Sequence, residues 1–201
     1  MEFSEVLRRR RLVRHYLDTP VEPETVERIL AAGMRAPSAG FSQGYAVLAL
    51  TEPADRATFW AATETPQETA SWPPETRAGV MRAPVILVTL SCKRIYLDRY
   101  AQADKGWADR DEARWPVPYW HVDTGMMALL MLLQAVDEGL GSLFIGIQPE
   151  VIPAFRSAFG VPDDHDVVGV VICGHADPDA PKRDLRSRRR SVDDVVHRGR
   201  W

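Results

Sequence analysis

The chain has 201 residues, enough for one α/β domain with a sizeable core. Its 45% hydrophobic and 26% charged residues suit a soluble globular protein, and a formal net charge of −3 gives no overall bias toward nucleic acid or an anionic membrane. Two cysteines, Cys92 and Cys173, sit in apolar runs and exclude a disulfide framework, and the five histidines lack metal-ligand spacing.

Phe3, Val6 and Leu7 recur at helical spacing, which predicts a short helix over residues 2–9. Met1–Glu5 has the character of neither a signal peptide nor a transit peptide, so a cytoplasmic protein is expected. A second helix is expected over 23–35, with Val26, Ile29, Leu30 and Met34 on one face, ended by Pro37. Tyr45–Leu50 reads as a strand, residues 53–62 as a helix, and 63–75 as a loop rich in Thr, Pro and Glu. The near-continuous apolar run Pro84–Ser91 predicts a strand covered on both faces.

Residues 93–117 are polar, charged and aromatic without a clear period, which predicts an irregular excursion or lid. The strongest helix follows at 119–138, apolar nearly all round and therefore buried on several sides. Its core, Met126–Val136, is too short to span a bilayer. Leu143–Ile147 reads as a strand, Pro149–Phe159 as a helix stopped by Gly160, and Val167–Cys173 as a further apolar strand. The tail from 178 to 201 is a polar arm that turns apolar again at Val195 and Val196, as if to dock on a partner subunit. The fold class expected is mixed: α+β, or an α/β mixed sheet with helices on both faces, built as a single domain over 1–201.

Four segments carry the chemistry. Arg8 through Arg11, with Leu12, Val13, Arg14, His15 and Tyr16, offer several guanidinium groups to an anionic ligand; alone, the run is equally a solvated basic face. Arg35–Gln43 contains the small residues that let a planar ligand approach the backbone, and alone is a helix-to-strand loop. Gly139-Leu140-Gly141-Ser142-Leu143-Phe144-Ile145-Gly146 ends a helix on its first two glycines and closes a short strand on the third. Arg186–His197 is a basic tail interrupted by an apolar pair.

In this order these segments resemble the nitroreductase (flavin reductase) family. That family shows Arg-Arg-Ser-x-Arg-x-Phe/Tyr at its start and Ala-Pro-Ser-x-x-Asn-x-Gln-Pro-Trp in its first loop. It has a late Gly-Leu-Gly and an Arg-x-Pro-Leu-x-x-x-Val tail. This chain has Arg10-Arg11-Leu12-Val13-Arg14-His15-Tyr16, Ala36-Pro37-Ser38-Ala39-Gly40-Phe41-Ser42-Gln43, Gly139-Leu140-Gly141 and Arg189-Arg190-Ser191-Val192. The resemblance implies a homodimer with FMN at its interface and the apolar helix at the dimer core. It implies Arg10 and Arg189, beside Arg11 and Arg190, on the phosphate, and Arg14 near the ribityl chain and pyrimidine edge, where positive charge favours the reduced flavin. Pro37 and Ser38 would come from the other subunit, beneath or beside the isoalloxazine, and Ala39, Phe41 and Gln43 would also belong to the cofactor site. Phe144, Ile145 and Gly146 would line the ring, with the Gly146 backbone near N5.

The chain departs from the family where Leu12 replaces Ser, Phe41 replaces Asn, and Gly44-Tyr45 replaces Pro-Trp. The first loop is also similar to that of the flavin-destroying dimethylbenzimidazole synthases, but apolar Leu12 cannot serve there as acid or base. The activity implied is reduction of an electron-poor acceptor (nitro compound, quinone or enone) by NAD(P)H, in ping-pong fashion through the flavin. The alternatives on this fold are a specialised biosynthetic flavoenzyme and a non-redox flavin-binding protein. Trp107, Trp115 and Tyr119 are candidates for the substrate face, the two tryptophans equally for local core; Trp120 reads as core. Asp123 suits a first-turn dipole or capping role, and His121 either a structural role or a proton donor.

Overall fold

The computed structural model describes residues 1–65, 72–181 and 185–201, the Arg186 side chain apart. The helices are α1 (Phe3–Arg9), α2 (Pro23–Gly33), α3 (Pro53–Thr63), α4 (Pro74–Met81), α5 (Lys93–Tyr100), α6 (Tyr119–Asp137) and α7 (Ile152–Phe159). The strands are β1 (Tyr45–Leu50), β2 (Val85–Ser91), β3 (Gly141–Ile145) and β4 (Asp166–Gly174). Pro23, Pro53 and Pro74 each open a helix, where the missing N–H costs nothing.

The strands form one sheet in the order β1-β2-β4-β3, each neighbouring pair antiparallel. Among the described residues the one parallel pairing is the bridge from Leu12 to Ser142 at the β3 edge. Alternate residues of each strand supply two cores. Ile86, Val88 and Leu90 of β2 and Val170 and Ile172 of β4 pack with Phe59 of α3, Val80 of α4 and Phe155 of α7. Val85 and Leu87, with Val171 and Cys173, pack on the other face with Ile29 of α2 and Met127 and Met131 of α6. Helices on both faces therefore explain why β2 reads as an unbroken apolar run.

Several element boundaries differ from the sequence reading. Residues 93–100 are helical, not irregular, because Tyr96 is fully buried and anchors a full turn to either side. Residues 74–81 are helical, so the loop expected over 63–75 gives way to helix at Pro74; 66–71 lie outside the described residues. The late strand begins at Gly141 and ends at Ile145, two residues earlier than its apolar letters suggest, since its register is set by pairing with β4. Gly139, at φ 79°, ends α6, with the Leu140 N–H donating to the Ala135 carbonyl at 2.8 Å. Gly141 does not help to end that helix. It is the first residue of β3, and a Cβ there would stand 2.8 Å from a Val13 methyl. Gly160, at φ 63°, stops α7 as its position suggested.

α6 is not buried all round. Val122, Met126 and Leu129, at i, i+4 and i+7, are exposed on one face, and α1, which packs on α6, exposes Phe3 and Leu7. No described helix is long and apolar enough to cross a membrane.

Candidate active site

The arginine-rich segment is sewn to the edge of the sheet. The Val13 N–H donates to the Ser142 carbonyl at 3.0 Å, the Tyr16 N–H to the Gly79 carbonyl at 3.2 Å, and the Leu17 N–H to the His175 carbonyl at 2.9 Å. Tyr16, read in the sequence as part of an anion-binding run, is instead a buried anchor. Its hydroxyl donates to the Val13 carbonyl at 2.9 Å, with the Ile172 carbonyl at 3.2 Å. Burial raises its pKa well above the usual phenol range, so the hydroxyl stays a donor.

The same segment sorts its arginines. Arg8 and Arg9 are both held by Glu5, within α1. Arg10, Arg11 and Arg14 make no ion pair or side-chain hydrogen bond among the described residues, although Arg28, Arg94, Arg99, Arg110 and Arg114 all pair with carboxylates. Three free guanidinium groups on a strap fixed to β3 are a donor set for a phosphate. Leu12, 43% exposed, stands among them.

β3 brings its last residues to the same edge. Phe144 covers Gly169, where a Cβ would lie 2.2 Å from the ring. Gly146 is exposed, with open space where a side chain would be. On the opposite face, Ile145 shares a cleft with Trp60, Trp72, Val80, Met81 and the Arg77–Glu64 ion pair of 2.8 Å.

The loop 38–43 is strained. Gly40, Phe41 and Gln43 have φ of 61°, 55° and 53°, and left-handed backbone is costly for any residue with a Cβ. The loop is held from inside and outside. The Gln43 N–H donates to Ser38 Oγ at 2.9 Å, and the Ala39 N–H donates to Asp123 Oδ2 at 2.8 Å. Phe41, at the tip, is 75% exposed.

The aromatic residues of 96–120 pack mainly on one another. Trp115 is the hub, with ring centroids 6.1 Å from Tyr96, 4.5 Å from Tyr100, 5.5 Å from Trp107, 5.9 Å from Tyr119 and 5.9 Å from Trp120. Trp107 and Trp115 are half-buried, Trp120 is buried, and Tyr119 keeps an exposed edge.

Residues 7–175 match the family model described as "Nitroreductase family". The chain belongs to the nitroreductase family and is an oxidoreductase. A relative from Archaeoglobus fulgidus, under the provisional name NADH dehydrogenase/NAD(P)H nitroreductase, is 27% identical over 202 residues, covering 100% of this chain and 99% of its own. A nitroreductase structure from Bacillus subtilis superposes with a TM-score of 0.73 at 17% identity, covering 98% of each chain. A nitroreductase family protein from Clostridium difficile 630 gives 0.70 at 20% identity over 100% of each chain. An FMN-dependent nitroreductase from Clostridium difficile R20291 gives 0.68 at 20% identity over 98% of each chain.

Within this nitroreductase-family chain the C-terminal arm stays apart. Leu185 and residues 187–201 are all exposed, and among the described residues no hydrogen bond or ion pair ties them to the rest of the chain. Among the described residues Arg189 has no hydrogen-bond or ion-pair partner, and Arg190 donates to the Asp194 carbonyl in a local turn. The strap carries Arg10, Arg11, Leu12 and Arg14 beside β3, and among the described residues no hydrogen bond or ion pair links Arg189 or Arg190 to it. In the 37–43 loop Pro37, Phe41 and Gln43 are exposed, while Ser38 and Ala39 are half-buried.

Sequence reasoning missed what supports that loop. Asp123, read as a first-turn or capping partner, is 2% exposed and accepts from both the Ala39 N–H and the Tyr96 hydroxyl. Tyr96, Arg99 and Tyr100, at i, i+3 and i+4 of α5, were the available signal. His121 lies at the surface, Nε2 3.2 Å from Asp166 Oδ2. Cys92, Asp164 and His165 present ligand-type atoms within 4.8 Å of one another. Arg94, 2.7 Å from Asp164, and then His165 hold that carboxyl at about 2, so a metal there would compete with a guanidinium.

Proposed function

We propose that the protein is an NAD(P)H-dependent FMN oxidoreductase that works as a homodimer on an electron-poor acceptor such as a nitro compound, a quinone or an enone. The observation that carries this is the trio Arg10, Arg11 and Arg14: three guanidinium groups without an ion pair among the described residues, on a strap fixed at the β3 edge, in a family of this chemistry. That donor set fits a phosphate monoester. Arg10 and Arg11 would hold the phosphate, and Arg14 would place positive charge where the reduced ring carries negative charge. Phe144, Ile145 and Gly146 would lie along the ring. Bound there, FMN would supply two-electron chemistry, taking hydride from NAD(P)H at N5 and passing it to the acceptor.

The rest of the site would come from a second copy. The exposed stripe Val122–Met126–Leu129 with Phe3 and Leu7 is an apolar face that pairing two α6 helices would bury. The outward loop at Pro37–Gln43 and the unattached arm with Arg189 and Arg190 suit delivery to a partner rather than to their own chain. Trp107, Trp115 and Tyr119 would serve the substrate side mostly by shaping its wall, since their rings are largely engaged with one another.

The test is the absorbance spectrum of the purified protein, followed by anaerobic titration with NADH and NADPH. A yellow protein bleached by either, and re-oxidised by an added quinone, is the expected result. Colourless protein indifferent to added FMN would overturn the reading. Bound flavin that neither nucleotide reduces would favour the non-redox alternative, which the apolar Leu12 motivates.

A further inference from the structure

One face of α5 and one buried carboxylate act together on the strained loop. Tyr96 donates to Asp123 Oδ2 at 2.8 Å, and the same oxygen accepts the Ala39 N–H at 2.8 Å. Arg99 Nε donates to the Gly40 carbonyl at 2.9 Å. The Tyr100 ring fills the space beside Gly40, where a Cβ would lie 2.7 Å from it, and Tyr96 does the same at Gly44 with 2.5 Å. Gly44, where Pro is common in the family, is therefore matched to Tyr96: any larger residue would strike the ring. Burial first, then Asp123, raises the Tyr96 pKa far above the phenol range, so its hydroxyl is a permanent donor.

These contacts hold two residues other than glycine in left-handed backbone, Phe41 and Gln43. Such strain persists only where the surroundings over-determine it, and it concentrates at functional sites. What it achieves here is the display of a large apolar ring, Phe41, away from its own chain.

We propose that Tyr96, Asp123 and Arg99 are positioning residues that lock the 38–43 loop so that Phe41 forms an apolar wall of the acceptor pocket in the partner subunit. The inference rests on the FMN-dimer reading. It adds a specificity-determining residue and the brace that aims it. The hydroxyl–carboxylate–amide chain sets the loop's first turn, and the guanidinium sets its second. A small shift in a wall of the acceptor site weakens acceptor binding more than it changes the reacting groups.

The experiment compares the FMN-loaded dimer of wild type, Tyr96→Phe, Phe41→Ala and the double variant. Steady-state kinetics use 1,4-benzoquinone and whichever of NADH or NADPH the wild type uses faster. Tyr96→Phe keeps the ring against Gly44 and removes only the donor. The quinone KM should rise about two- to tenfold, the range one lost hydrogen bond supports, with kcat less affected. In the Phe41→Ala background, Tyr96→Phe should then add nothing, because the residue it aims is gone. If Tyr96→Phe does not accumulate as a folded dimer, Arg99→Gln replaces it with the same expectation. A wild type without FMN sinks the flavin reading and this inference with it. A yellow, active enzyme whose Tyr96→Phe variant melts earlier but keeps the wild-type KM overturns this inference alone. So do single-variant effects that multiply in the double.

Discussion

Gly79 offers a sharp test of how the arginine strap is held. It lies inside α4, where Gly→Ala normally stabilises a helix by about 0.5–1 kcal/mol. Here the new methyl would stand 2.6 Å from the Arg14 carbonyl oxygen and 2.7 Å from His15 Nδ1. The strap cannot simply retreat, because the Tyr16 N–H is bonded to the Gly79 carbonyl at 3.2 Å and the Tyr16 ring is fully buried. Overpacking against fixed backbone costs about 1–3 kcal/mol. Subtracting the helical gain leaves a net loss of roughly 1 kcal/mol. With a urea m-value of about 2 kcal/mol/M, the midpoint should fall by about 0.5 M. The same displacement moves Arg14, so FMN retained through gel filtration should fall in parallel. A midpoint that rises, as propensity alone predicts, would refute the account of the strap as a close-fitted element.

Arg14→Ala should weaken FMN binding by about 10- to 100-fold, the effect of losing one charge-assisted hydrogen bond, measured by quenching of flavin fluorescence. Leu129→Arg changes a residue 48% exposed on the lone chain, so a merely solvated face would absorb it within about 0.5 kcal/mol. The proposed interface predicts instead a monomer by analytical ultracentrifugation, with loss of bound FMN. Burial pushes the Cys173 thiol up to about 12, against about 8.5 in an unfolded chain. The unfolded chain therefore releases its proton first, so stability is fully present below about pH 8.5 and falls as pH rises toward 12. Urea midpoints between pH 8 and 10.5 should decline less steeply in Cys173→Ala, and equal slopes would contradict the assignment.

The elements with a strong period were legible in the residues alone. β1 and β2 are written as apolar runs, α2 as a 3.6-residue stripe, and the ends of α6 and α7 as glycines at left-handed positions, because each depends on local backbone preference and on which faces are covered. α5 was not legible: its residues are mostly polar, and its helix depends on Tyr96 finding a pocket made by Gly44 and Asp123, both remote in sequence. Likewise, β3 takes its register from β4 and not from its own letters.

For the site, composition and order marked the arginines and the 37–43 loop as candidates, since guanidinium chemistry and small residues are visible one letter at a time. Only the folded chain separated Arg8 and Arg9, which share the Glu5 carboxylate, from Arg10, Arg11 and Arg14, which have no side-chain partner among the described residues. Only the fold turned Tyr16 inward and Phe41 outward. Charge and size belong to a residue, but whether a group is paired, buried or strained belongs to its neighbours, and those are chosen by long-range packing.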